Sequence, residues 1–326
     1  MYQEFYGLRE RPFELTANHR FLLMTPKHRE ALSTLEYGLF SAKSLTVLIG
    51  EAGTGKTTLL QAALKSERCK SVRCVYINNP SLTRQEFIEL LGRAFRLPVH
   101  VHGSKTALLE ELETALRERR GRGEVTALVV DEAQSLTTEL LEEVRLLGNI
   151  ETSNEKLLPL VLSGQPELDS RLEHPSFRQL KQRVALRCVL SPLELPETAA
   201  YIAHRIRTAG GVPSHLFTRE SVSLIHECSG GIPRMISVIC DNALVSGLAL
   251  DRRPIDRSIV LEVCNEFRLN RQEHFRSIPE GDHERYQGHI TRDGESESAN
   301  EAVSQAAPQD KVPRFRRFAS FGLGRS

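Results

Sequence analysis

The stretch Gly50-Glu51-Ala52-Gly53-Thr54-Gly55-Lys56-Thr57-Thr58 fits the phosphate-loop pattern G-x-x-x-x-G-K-[ST] over positions 50 to 57. Ahead of it, Ser44-Leu45-Thr46-Val47-Leu48-Ile49 is a short run containing β-branched residues and reads as a buried strand. Behind it, residues 58–65 read as a helix with leucines on one face. Strand, glycine-rich turn and helix form the context in which such a loop binds phosphate, and a chance glycine turn would lack it. The glycines let the backbone approach phosphate oxygens with its N–H groups turned inward, and the helix N-terminus adds a positive dipole end. Gly50, Glu51, Ala52, Gly53, Thr54, Gly55, Lys56, Thr57 and Thr58 are therefore expected to cradle ATP. Lys56 would reach the β- and γ-phosphates, and the Thr57 hydroxyl would ligate Mg²⁺.

A second landmark follows two helical units later. Residues 125–130 form an apolar strand that ends in Asp131-Glu132. A doubly wound sheet places its ligands at the C-terminal ends of its strands. Asp131 is expected to hold Mg²⁺, and Glu132 to orient and deprotonate the attacking water. A surface acidic pair is the plainer alternative, disfavoured by the apolar run that delivers it. The next strand, expected over residues 157–162, leads into Ser163-Gly164-Gln165-Pro166. Ser163 or Gln165 at that end would lie between Glu132 and the γ-phosphate, able to hydrogen-bond the water.

The chain has 326 residues, enough for two domains and a tail, and 40% of them are hydrophobic. With 43 basic against 42 acidic residues, net charge gives no sign of nucleic-acid binding. The six cysteines (Cys69, Cys74, Cys188, Cys228, Cys240 and Cys264) form no C-x-x-C pair and fall in apolar stretches, so buried free thiols are expected. Neither a secretory signal nor a membrane-spanning run of about 20 apolar residues is legible, which points to a cytoplasmic protein.

Residues 1–27 are rich in aromatics and proline and read as a packing segment that either covers the core or supplies an apolar wall for the base. Residues 28–40 read as an amphipathic helix. Thr83 and Glu86 form a capping box opening another, and a further helix runs over about 104–120. Arg117, Arg119, Arg120 and Arg122 end it, and either touch nucleic acid or form a solvated helix end favoured by the dipole. A second strand over 71–78, a helix over 135–150 and a fifth strand over 184–190 complete an αβα domain assigned to 28–192. From residue 193 the texture is helical only, with helices expected over 196–209, 218–228, 232–248 and 256–267, a small domain assigned to 193–272. Pro233 suits a first helical turn, whereas Arg234 beside it opposes the dipole and asks for an anion, either a phosphate or a local carboxylate. Residues 273–326 are polar and expected to be disordered, ending in alternating arginine and phenylalanine suited to anionic lipid, nucleic acid or a protein.

With these residues in view, the chain resembles AAA+ ATPases, and more closely the general secretion pathway protein A (ExeA-type) family. The matching residues include Phe5-Tyr6-Gly7-Leu8, Pro12-Phe13, His28-Arg29-Glu30-Ala31-Leu32 and Tyr37-Gly38. They continue with the phosphate loop, Asp131-Glu132-Ala133-Gln134, Gly164-Gln165-Pro166-Glu167-Leu168, Gln182-Arg183 and Gly231-Ile232-Pro233-Arg234. The resemblance implies a five-stranded parallel sheet of order 5-1-4-3-2 with a helical lid. It implies Ser163 or Gln165 as sensor 1, Arg234 as sensor 2 and Arg183 as the arginine finger, with Arg178 in reserve. A finger implies a homo-oligomer with nucleotide between subunits, and the family implies a protein partner in an envelope or secretion system. TniB- and TnsC-type transposition ATPases share the layout, which keeps an ATP-gated DNA-associated regulator open. A small-molecule P-loop kinase is disfavoured by the Asp131-Glu132 pair and the lid.

Overall fold

The computed structural model describes residues 1–15, 19–78, 81–98 and 104–269. The expected tail and its basic-aromatic end lie outside the described residues. Five strands, β1 (Leu45–Gly50), β2 (Val72–Ile77), β3 (Val125–Val130), β4 (Leu160–Gly164) and β5 (Val184–Leu190), form one parallel sheet of order β2-β3-β4-β1-β5. Read from the other edge, this is the 5-1-4-3-2 order implied by the resemblance. β1 and β3 are buried at every position, as expected of central strands covered on both faces.

Helices α1 (Tyr2–Tyr6), α2 (Pro26–Phe40), α3 (Lys56–Lys65), α4 (Arg84–Ala94) and α5 (Lys105–Gly121) are followed by α6 (Thr138–Leu147), α7 (Pro166–Glu173) and α8 (Arg178–Lys181). After β5 come α9 (Leu195–Thr208), α10 (Pro213–Leu216), α11 (Arg219–Ser229), α12 (Pro233–Ala249) and α13 (Arg257–Glu266). The capping box of α4 is present in full: Glu86 N–H bonds the Thr83 hydroxyl, and Thr83 N–H bonds Glu86.

Two expected elements move. The strand read over 157–162 starts at Leu160, because Pro159 has no N–H for the ladder, and the strand continues to include Ser163 and Gly164. The helix read over 135–150 begins only at Thr138. Thr137 caps it through its side chain to Leu140 N–H, and Ala133–Ser135 forms a separate 3-10 turn. The short α10 was not anticipated from the sequence.

The sheet buries one apolar layer against α4–α8 and another against α2 and α3. A third cluster joins α9–α13 and includes Tyr2, Tyr6, Leu8, Phe13 and Phe21. The N-terminal segment is thus part of the core of the helical region. All six cysteines are free; four are buried, while Cys74 and Cys228 are only half-buried, which corrects the expectation of uniform burial. Burial pushes the Cys74 and Cys188 thiols up to about 12, so both stay protonated at neutral pH.

Candidate nucleotide site

β1 runs into the glycine turn, and α3 starts at Lys56 immediately after Gly55, whose φ of 98° no β-branched residue would hold. The turn opens on a cavity of about 360 Å³, a volume in the range of small-ligand sites. Gly53, Thr54, Gly55, Lys56, Thr57 and Thr58 line it, and so do Glu132 from the end of β3 and Arg234 from the start of α12. Lys56 and Glu132 therefore face the same space.

Lys56 is 4% exposed, and its Nζ donates to the carbonyls of Gly50 at 2.8 Å and Glu51 at 3.1 Å. Burial holds its pKa below the usual lysine value, and the charges of Glu132 and Asp131 push back toward the ammonium. Arg234 N–H donates to Gly53 O at 3.2 Å, which fastens α12 onto the phosphate loop. No carboxylate pairs with the Arg234 side chain among the described residues, so of the two partners its position asked for, the local one is missing.

Asp131 is fully buried. Its Oδ2 accepts from the Thr57 hydroxyl at 2.7 Å and from the Tyr76 hydroxyl at 2.7 Å. Tyr76 comes from β2, and sequence reading missed it because only the β2–β3 register, Ile77 beside Val130, brings it there. Burial and the bond to Asp131 raise its phenol further above the usual tyrosine value. The Thr57 and Asp131 oxygens are the hard donors that Mg²⁺ takes. With Lys56 and Arg234 beside them and in no ion pair among the described residues, the residues present fit Mg²⁺-ATP.

Glu132 has a left-handed backbone, φ 53°, a conformation that costs about 1–3 kcal/mol and clusters at functional sites. Its Oε2 accepts from Gln134 Nε2 at 2.6 Å and lies 3.4 Å from Gln165 Nε2. Gln165 thus joins the site through Glu132. Ser163 lies within β4, one residue beyond the Val130–Leu162 pairing and therefore beside Asp131, with its hydroxyl buried and unbonded. Arg183 is not brought into the cavity: it is half-buried and donates to Gly148 O at 3.0 Å. Arg178 is exposed, with no partner among the described residues.

Leu15, Phe21, Leu22 and Leu23 supply an apolar wall to the cavity, while Phe21 also packs into the helical core. His28 also lines the cavity, its ring bonding Thr25 Oγ1 at 2.8 Å, and burial lowers its pKa while the Thr54 main chain pushes back. Arg205 of α9, another cavity residue missed in the sequence, is buried with neutral partners: Pro12 O, Glu14 O and the Tyr201 hydroxyl. Its only sequence signal is the four-residue spacing from Tyr201.

The arginines at the end of α5 divide. Arg117 pairs with Glu113 and Arg120 with Glu155. Arg119 is buried and donates to Phe95 O at 2.9 Å. Its pKa is depressed by burial and then by the exposed guanidiniums of Arg73, Arg122 and Arg96, while Glu124, which also pairs with Arg122 at 3.9 Å, pushes the other way.

Residues 40–172 match the family model described as "AAA domain". The chain is 40% identical to general secretion pathway protein A of Aeromonas hydrophila over 249 residues, which are 76% of this chain and 45% of that protein. It therefore spans just under half of that relative's length. It is 26% identical to the Mu-like prophage FluMu DNA transposition protein B of Haemophilus influenzae over 213 residues, 64% of this chain and 68% of that one. Among solved structures it is similar to the Aeropyrum pernix ORC2 protein in ADPNP-ADP complexes. The TM-score there is 0.57 at 17% identity, over 79% of this chain and 71% of that one, a likeness of fold.

Proposed function

Because this chain is an AAA+ P-loop protein related to general secretion pathway protein A, we propose that it is a Mg²⁺-dependent ATPase. Its turnover drives an oligomeric switch in assembly of a bacterial envelope or secretion system, on the cytoplasmic side. The observation that carries this reading is the convergence of Lys56, Arg234 and Glu132 on one cavity at the end of the phosphate loop. The ADPNP-ADP complexes of the structurally similar protein support a nucleotide as the ligand. No helix among the described residues is long and apolar enough to cross a membrane.

Thr57 and Asp131 would hold Mg²⁺, which when bound neutralises charge on the β- and γ-phosphate oxygens. Water forms the new bond to the γ-phosphorus, its proton passes to Glu132, and the β–γ bridge breaks with its electron pair leaving on ADP. Lys56 and Arg234 donate to the oxygens over which charge spreads, while Ser163 or Gln165 registers the γ-phosphate. The apolar wall of Leu15, Phe21, Leu22 and Leu23 holds the base. The finger arginine comes from a neighbouring copy: Arg183, whose bond to Gly148 then opens, or the exposed Arg178.

Phosphate release from Mg²⁺-ATP with no acceptor added tests the reading and separates it from a kinase. Turnover should require Mg²⁺, and a non-hydrolysable analogue should raise the solution mass above that of one chain. Arg178→Ala and Arg183→Ala should both bind ATP, and the one that removes the finger should lose about 10³-fold or more in turnover. No release by the unaltered protein would overturn the reading.

A second reading, an ATP-gated DNA-associated regulator, is favoured by the arginine cluster on the β2–α5 side. The buried Arg119 guanidinium feels three like charges, Arg73, Arg122 and Arg96, against one carboxylate, Glu124, which also lies 3.9 Å from Arg122, and a phosphodiester backbone would add charge of the opposite sign. Under this reading a DNA duplex binds with an affinity that falls steeply with salt. Arg73→Glu with Arg96→Glu abolishes binding, whereas Arg117→Glu, already paired, changes it little. No binding at low salt in the ATP state would remove it.

A further inference from the structure

The two carboxylate oxygens of Glu132 are not equivalent. Oε2 accepts from Gln134 Nε2 at 2.6 Å and more distantly from Gln165 Nε2. Oε1 has no donor among the described residues. A carboxylate gripped through one oxygen has its plane fixed, and the other oxygen is left to receive a proton.

The Gln134 amide is fixed from its other end. Its Oε1 accepts the Gln165 main-chain N–H at 3.1 Å, so one side chain bridges the turn after β3 to the end of β4. Its main-chain carbonyl accepts from Arg171 Nη1 at 2.8 Å, and the same Nη1 reaches Leu136 O at 2.6 Å. Arg171 in turn lies over the Phe177 ring. Glycine at position 164 leaves room for this arrangement, since a Cβ there would stand 3.0 Å from Gln134 Oε1 and 2.7 Å from the end of the Leu168 side chain. The left-handed backbone of Glu132 is held between these contacts rather than relaxing.

We propose that Gln134 is a positioning residue for hydrolysis. By donating to Oε2 of Glu132 it aims Oε1 at the water and determines which oxygen takes the proton. The inference rests on the hydrolytic reading above and adds a group outside the residues assigned to it. Gln134 does not line the cavity, whereas Glu132 does. It acts through Glu132, much as a buried partner fixes the orientation of a catalytic base.

Gln134→Glu isolates this role. The substitution keeps the side-chain length and an oxygen for the Gln165 N–H, but removes the N–H donated to Glu132. In the full chain with Mg²⁺-ATP, kcat should fall roughly 10- to 100-fold, the order expected for misorienting a reacting group. The Kd for a fluorescent ATP analogue should stay within about twofold. Gln134→Leu, which lacks both the donor and the brace and carries no added charge, should show the same split between kcat and Kd.

A purely bracing role predicts a different pattern: turnover retained in Gln134→Glu and lost in Gln134→Leu. That pattern, or Gln134→Leu turning over within twofold of the unaltered protein, would overturn the proposal. So would parallel loss of ATP binding and kcat in both variants. Failure of the parent reading looks different, because the unaltered protein itself would then release no phosphate.

Discussion

Glu132→Gln is expected to lower phosphate release by roughly 10²–10⁴-fold while ATP still binds with an affinity within a few-fold of the unaltered protein. The side chain keeps its length and its place at the cavity wall, and its amide oxygen can still accept from Gln134. What it loses is the ability to take a proton from water. It also loses a negative charge beside Lys56, a charge that would otherwise repel the incoming triphosphate. Affinity should therefore hold or tighten as turnover disappears. Single-turnover phosphate release, run beside equilibrium binding of a fluorescent analogue, separates the two quantities. Undiminished release would mean that the base is another group and that Glu132 faces the cavity for some other reason.

Gly231→Ala should be the most damaging small substitution in the helical region, costing on the order of 3–5 kcal/mol of stability. The residue has φ 74°, a left-handed conformation that burdens any side chain by about 1–2 kcal/mol. Collision costs more. A Cβ there would stand 2.1 Å from the carbonyl oxygen of Leu193 and 3.1 Å from its C and N, all backbone atoms that cannot swing aside. The two backbones are also tied by Leu193 N–H donating to Gly231 O at 2.8 Å. Leu193 lines the cavity, and Arg234, in the first turn of α12, is only three residues on, so the displacement should loosen ATP binding as well. The melting midpoint should drop by roughly 10 °C. Gly230→Ala is the control. Its φ of 60° carries the same conformational burden, but a Cβ would meet nothing within 4 Å, so its midpoint should fall far less. Equal losses in the two variants would show that packing against Leu193 is not what positions the helical region.

Both predictions depend on how the phosphate loop was legible. Gly50 to Thr58 is local: a strand, a turn and a helix contiguous in the chain, each with its own residue signature, so no distant contact was needed to read it. Asp131 and Glu132 were legible for a related reason. An apolar strand that ends in two carboxylates is unusual unless the carboxylates have work to do there. The five strands were found, and the shift of β4 by a few residues follows from Pro159, whose missing N–H is visible in the sequence but is masked by the run of leucines around it.

Residues whose positions depend on register or packing were not readable. Tyr76 reaches Asp131 only because β2 lies beside β3. Gln134 looked like one more polar residue after the carboxylates until the end of β4 closed over it. Arg205 looked like one of several arginines on an amphipathic helix. The four arginines at the end of α5, alike in sequence, separate into three that pair with carboxylates, Arg117, Arg120 and Arg122, and a buried one, Arg119, that donates to a carbonyl.

The sequence by itself determined the chemistry of the loop and the acidic pair, because phosphate cradling needs glycine, lysine and a hydroxyl at fixed local spacing. Only the tertiary structure decided what holds that chemistry in place. Hydrogen bonds across strands, and a glycine pressed against a distant backbone, join residues that chain order leaves far apart. Their partners are set by the fold as a whole.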